Sequence, residues 1–296
     1  VKRLRDRYRA LLLDLDGTLY RGHEVIEGAP EALATDGQAG RRLVYVTNNA
    51  SRGPQVVAAH LSELGFAATA DDVVTSAQAA ARLLAERLDR GAPVLVVGTD
   101  DLAAEVEAVG LRPIRRSDGD APAAVVQGHS PHTAWPDLAE AAYALRTDAL
   151  WVAANTDRTL PNERGLAPGN GAMVAALRAA SDREPIVAGK PYAPLLEDAL
   201  VRAGSRSALV VGDRLDTDIE GANRVGLDSL LVLTGVSTID ELRKAPDGQI
   251  PTYVADSLDA LNHAAVAAEP EADLGEMLRR NPGRAVTVRA SDSEIR

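Results

Sequence analysis

The chain has 296 residues, 46% hydrophobic and 25% charged, the balance of a soluble globular protein with one large or two ordinary domains. Its 43 acidic residues outnumber 32 basic ones, and the formal charge of −11 is a poor match to nucleic acid or an anionic membrane. Cysteine is absent, which removes disulfides, thiolate metal sites and thiol nucleophiles together. Residues 1–10 are charged and the apolar run that follows, Ala10–Leu13, is too short for a secretion signal, so a cytoplasmic location is expected. No stretch approaches the roughly 20 apolar residues of a membrane span. Only three basic residues are lysines, Lys2, Lys190 and Lys244. That preference reads as compositional bias, and it gives weight to any lysine inside a motif.

Short apolar runs alternate with segments of helical period. In chain order the expected elements are strands Leu11–Leu13 and Leu43–Val46, helices Pro54–Leu64 and Ala77–Leu88, and strand Val94–Val97. Helix Leu102–Val109, strand Ala123–Val126, helix Leu138–Leu145 and strand Trp151–Ala154 come next. Helices Ala172–Ala180 and Pro194–Ala203 and strands Ala208–Val211 and Leu230–Leu233 complete the series. Strands alternating with helices predict an α/β protein with parallel sheets, and continuous apolar strands fit sheets covered on both faces. After about Ala264 the pattern decays, and 265–296 reads as a mobile appendage.

Four segments carry chemistry. Asp14-Leu15-Asp16-Gly17-Thr18 directly follows Leu11–Leu13. Carboxyl ends of parallel strands face the ligand crevice, so both Asp can reach it if the chain turns after the first. Gly17 permits close backbone approach, and neighbouring amides can face an anion. An ordinary Asp-Gly turn is the alternative. Gly212-Asp213-Arg214-Leu215-Asp216-Thr217-Asp218 follows Ala208–Val211, and its three Asp repel one another unless a cation sits among them. Carboxylate oxygens suit a hard ion such as Mg²⁺. An acidic helix start would explain Asp216 but not Asp213. Thr47-Asn48-Asn49 offers a hydroxyl and two amides at a strand end, for a phosphate or for a helix cap. In Gly189-Lys190-Pro191 a mobile point charge, able to neutralise a phosphoryl group, stands before a helical segment; a surface lysine is the alternative.

In this order the four motifs resemble the haloacid dehalogenase superfamily of phosphatases, over about residues 8–264. The insertion between Thr47 and Lys190 resembles the large α/β cap of the subgroup with p-nitrophenylphosphatase-like, pyridoxal-phosphate and ribonucleotide monophosphatases. Asn155–Gly171 resembles that subgroup's substrate-specificity loop. The resemblance implies a Rossmann-like, doubly wound parallel core at 1–78 and 189–264, an α/β cap at 79–188, and a site between them. It implies that Asp14 is the nucleophile and that Asp16 is the general acid, then base. Thr47 and Lys190 would hold the phosphoryl oxygens, with Leu15, Gly17 and Asn48 around them. Mg²⁺ would be held by Asp14, the Asp16 carbonyl and Asp213, and Asp218 would orient a metal-bound water. Arg158 or Arg164 of the cap loop would reach the leaving group. A homodimer through the cap is plausible on the same ground.

The expected activity is Mg²⁺-dependent hydrolysis of a small phosphate ester through an aspartyl phosphate, with glycerol 3-phosphate the first choice. The alternatives are 2-phosphoglycolate, pyridoxal 5′-phosphate or a nucleoside monophosphate, and, in a different class, an idle phosphometabolite-binding protein. The span from Asp157 to Pro168 lacks His and aromatic residues, which favours a small polyol over a flat ring. Trp135 and Trp151 read as cap core, and His129 and His132 as loop residues.

Overall fold

The computed structural model describes residues 2–34, 40–117, 119, 121–269 and 272–289. It divides into two compact units, one of residues 1–46, 58–73 and 196–296, the other of residues 47–57 and 74–195.

The first unit is built on an eight-stranded sheet. Its spatial order is Val266–Ala267, Val286–Thr287, Tyr253–Ala255, Asp228–Val232, Ala208–Gly212, Ala10–Leu13, Arg42–Thr47 and Val73–Thr75. Ala10–Leu13 runs parallel to both neighbours, and Leu13 is in register with Val211 on one side and Tyr45 on the other. The central strands are buried along their whole length, as Ala-Leu-Leu-Leu and Ala-Leu-Val-Val-Gly require when both faces are covered. The register brings Asp14 and the Gly212–Asp213 step out at the same end of adjacent strands. The Asp14 N–H continues the ladder, donating to the Val211 carbonyl at 2.9 Å.

The second unit carries a five-stranded parallel sheet in the order Ile186–Val187, Leu150–Ala153, Ala124–Gln127, Pro93–Val97 and Arg112–Ile114. Helices Trp135–Leu145 and Asn170–Ser181 cover one face, burying Ala141, Leu145, Val174 and Leu177 against Leu95, Val125 and Trp151. Trp151 donates its Nε1–H to Gln127 Oε1 at 3.3 Å, which satisfies its polar edge inside the core. Trp135 corrects its expectation: it opens its helix and is 76% exposed. The antiparallel hairpin of Thr159–Asn162 and Gly165–Pro168 stands out from this unit with almost every residue exposed.

Two boundaries differ from the sequence reading. Residues 47–57, 74–78 and 189–195, given to the core by sequence, group with the second unit, while strands Arg42–Thr47 and Val73–Thr75 pair in the first unit's sheet. The reading of 265–296 as an appendage is also corrected for 265–269 and 272–289; residues 270, 271 and 290–296 lie outside the described residues. Val286–Thr287 pairs antiparallel with Tyr253–Ala255 and parallel with Val266–Ala267. Helix Leu274–Arg280 buries Met277 and Leu278 against Leu231, Leu242 and Val254. Two-residue strands are too short to show a period, so the pattern there looks like decay.

Trp151→Ala should cost about 3–5 kcal/mol in urea unfolding, Leu278→Ala about 2–5, and Trp135→Ala within about 0.5. A Leu278→Ala cost near zero would return the C-terminal segment to the status of an appendage.

Candidate active site

In the first unit the acidic loops converge where the central strands end. Asp14, Asp213 and Asp218 each place a carboxylate oxygen within 4.8 Å of the other two. Asp213 and Asp218 are buried, and Asp14 is half-buried. Burial is the main cause that raises the Asp213 pKa well above the carboxylate range, and the charges of Asp14 and Asp218 raise it further. The buried Thr18 hydroxyl donates to Asp14 Oδ2 at 3.3 Å. The Arg214 N–H donates to Asp218 Oδ2 at 3.1 Å. Three crowded oxygen donors of one sign are the set a hard divalent cation takes, so the residues fit such an ion. Among the described residues this is the one group of three or more His, Cys, Asp and Glu side chains arranged for a metal.

Asp16 sits past the strand end with its carboxyl open to solvent. Desolvation by its neighbours, and then the Asp14 charge, raise its pKa above the usual value against hydrogen bonds from Gly22 and Gly17. A carboxyl whose pKa is raised holds its proton more readily, which suits proton transfer. Asp216 stands apart, in an exposed ion pair with Arg214 at 2.8 Å. The Leu15 side chain is core, 2% exposed, so only its backbone can meet a ligand. The Gly17 N–H donates to the Tyr20 carbonyl at 2.7 Å. Gly17 matters for its missing side chain: at φ +85° a Cβ would stand 2.4 Å from Asp213 Oδ2. His23 packs edge-on to His60 with ring centroids 6.0 Å apart.

The second unit holds Thr47, Asn48 and Lys190. Thr47 ends its strand, and its Oγ accepts the Asn49 N–H at 3.0 Å, which leaves the hydroxyl proton for another acceptor. Asn48 is a clasp. Its Oδ1 accepts the Lys190 N–H at 2.8 Å, and its Nδ2 donates to the Lys190 carbonyl at 3.0 Å and to the Asp157 carboxylate at 3.3 Å. Its own carbonyl accepts from Ser76 Oγ and Asn155 Nδ2. Asn155 Oδ1 caps the Asp157 N–H at 3.1 Å, and Asn170 Nδ2 holds the Asn155 carbonyl at 2.7 Å. This network explains why 189–195 and 74–78 fall in this unit. It also makes Asn48 a fastener of the Lys190 backbone rather than a group facing outward. Arg164 lies in the exposed turn of the hairpin, where its N–H donates to Asn162 Oδ1 at 2.9 Å.

Sequence reasoning gave no individual role to Thr18, Ser76, Val236 or Ser237, and took Asn155 only as the start of the specificity loop. The signal for Val236 and Ser237 is a run of small and polar residues at the carboxyl end of a further parallel strand, Asp228–Val232.

Comparison with known proteins agrees with this geometry. A profile for haloacid dehalogenase-like hydrolases matches residues 11–112, and a HAD-hydrolase-like profile matches 187–261. The chain belongs to the haloacid dehalogenase-like hydrolases. It is 54% identical to the D-glycerol 3-phosphate phosphatase of Mycobacterium tuberculosis over 98% of this chain and 81% of that protein. A crystal structure of glycerol phosphate phosphatase from the same organism, in complex with magnesium, superposes with a TM-score of 0.84 at 57% identity, covering 88% of this chain and 79% of that one. The p-nitrophenyl phosphatase of Archaeoglobus fulgidus superposes at 0.78 with 28% identity, over 85% of this chain and 97% of that one.

Two outcomes follow from the geometry. The folded-state pKa of Asp213 lies above its unfolded value of about 3.9, so its contribution to stability is present below that pH and is lost as pH rises through the raised pKa. Asp213→Asn, which keeps an acceptor oxygen, should therefore raise the metal-free Tm, increasingly so at higher pH, by about 2–4 °C per kcal/mol relieved. The same variant should lose the Tm gain from added divalent cation, and scanning fluorimetry reads both. Asn48→Asp cannot donate to the Lys190 carbonyl and faces Asp157 with a like charge. It should cost about 1–3 kcal/mol in urea unfolding.

Proposed function

We propose that this chain is a Mg²⁺-dependent phosphomonoester hydrolase whose substrate is glycerol 3-phosphate. The observation that carries the reading is the Asp14, Asp213 and Asp218 trio at adjacent strand ends, with Asp16, its pKa raised, two residues beyond the first. The 54% identity to a D-glycerol 3-phosphate phosphatase supports the choice of ester.

Asp14 attacks the phosphorus, and the bond from phosphorus to the ester oxygen breaks. Asp16, entering protonated, gives its proton to the departing alkoxide. Asp16, now ionised, takes a proton from water, whose oxygen attacks the phosphorus and breaks the bond to Asp14, releasing inorganic phosphate. Both steps are in-line displacements, so one carboxylate pair serves both directions of proton flow. Thr47 donates its hydroxyl proton, and Lys190 its charge, to the phosphoryl oxygens. Asp14, Asp213 and the Asp16 carbonyl, with Asp218 beside them, would hold Mg²⁺, whose charge would offset the repulsion between an anionic ester and a carboxylate nucleophile. Arg164 and the hairpin around it select the leaving group.

A phosphate-release screen over glycerol 3-phosphate, 2-phosphoglycolate, pyridoxal 5′-phosphate and mononucleotides, with and without Mg²⁺, tests the reading. Glycerol 3-phosphate should give the highest kcat/KM, and preference for a nucleotide would overturn the substrate. Asp14→Asn should lose activity by about 10³-fold or more with an unchanged circular dichroism spectrum.

A further inference from the structure

In the first unit the chain leaving strand Asp228–Val232 crosses both acidic loops. Thr234 Oγ1 donates to the Gly17 carbonyl at 2.8 Å, and Arg21 Nε donates to the Thr234 carbonyl at 2.8 Å. The Val236 N–H donates to Asp213 Oδ2 at 2.7 Å, and the Ser237 N–H to the Asp213 carbonyl at 3.1 Å. Ser237 Oγ accepts the Leu215 N–H at 3.1 Å in a buried bond. Gly235 completes the crossing. A Cβ there would stand 1.9 Å from Asp213 Oδ2, the same oxygen that a Cβ on Gly17 would meet at 2.4 Å. One carboxylate is thus gripped between two glycine backbones, and an amide fixes its rotation.

We propose that Thr234–Ser237 is a positioning strap that aims the Asp213 carboxylate at the cation. The inference rests on reading the Asp14, Asp213 and Asp218 trio as the Mg²⁺ site. Carboxylates that repel one another swing apart when no cation lies among them, and each then reorganises on binding. The strap removes that freedom for Asp213. Val236 occupies Oδ2, while Oδ1 is the oxygen that Thr18 Oγ1 approaches, at 3.5 Å. Through Thr234 the strap also ties Gly17 of the first loop to Asp213 of the second, so the distance between the loops is set by bonded backbone. Thr234, Gly235 and Ser237 touch no reacting atom and act through the ligand.

Isothermal titration of metal-free protein with Mg²⁺ tests this on the parent chain and on Thr234→Val, Ser237→Ala and Gly235→Ala. Metal-free Tm and far-ultraviolet circular dichroism serve as the check on folding. Thr234→Val and Ser237→Ala should keep the parent spectrum and weaken Mg²⁺ binding about tenfold or more, the usual cost of removing a partner that orients a ligand. Thr234→Ser, which keeps the hydroxyl, should restore parent affinity. Gly235→Ala should weaken binding further, and if it does not fold, the two hydroxyl variants decide. A strap that served folding alone would lower the metal-free Tm and leave the Mg²⁺ affinity within about twofold of the parent, which overturns the proposal by itself. A parent chain that binds no Mg²⁺ overturns both the strap and the reading of the site.

Discussion

Three carboxylate oxygens held within 4.8 Å of one another repel, and the first unit is arranged around keeping them there. At an effective dielectric of 20, each ionised pair at that distance costs about 3 kcal/mol, a sizeable part of the total stability of an ordinary domain. Only three things relieve it: a proton, a cation, or movement of the loops apart. The raised pKa of Asp213 marks the first route, and the oxygen donor set marks the second. The third is closed by the sheet. Asp14 and Asp213 follow strands paired in register and buried on both faces, so separating the carboxylates means breaking ladder bonds and opening a packed core.

The second unit works by neutral groups. Asn48 holds both the N–H and the carbonyl of Lys190, so the lysine backbone is pinned by an amide with no charge of its own. That leaves the ammonium as the charge the residue contributes. An arginine brings a planar fork that prefers one geometry, whereas an ammonium on a four-carbon stem is a mobile point charge.

The main strands and the acidic residues were readable in sequence because both leave local marks. A buried parallel strand is a continuous apolar run, and Asp14 and Asp213 each follow one. The role of Asn48 was not readable, because an Asn after a Thr at a strand end is equally a cap, a phosphate ligand or a clasp, and only its partners 109 and 142 residues away decide. Gly17 was noticed for its amide, yet it is also needed sterically, against an aspartate 196 residues on in the chain. Thr234–Ser237 carries only a faint mark, a run of small and polar residues after a strand, and that describes most turns. Trp135 was misread because aromatic composition says core, whereas its place at a helix start, before the apolar stripe begins, leaves it in solvent.

The same contrast bears on how one scaffold serves different esters. Asp14, Asp16, Asp213 and Asp218 follow buried strands, and their spacing is set by a core that tolerates little change. The hairpin of Thr159–Asn162 and Gly165–Pro168 is exposed along nearly its whole length, so substitutions on it disturb almost no packing. Its root is different. Asp157 is bonded to Asn48, Asn155 is buried, and Asn170 anchors the Asn155 carbonyl. An exposed arm on a fixed base can change while the Asn48 clasp on Lys190 stays in place. The arm's turn, where Arg164 stands, can therefore change at little cost to packing, whereas the strand ends cannot.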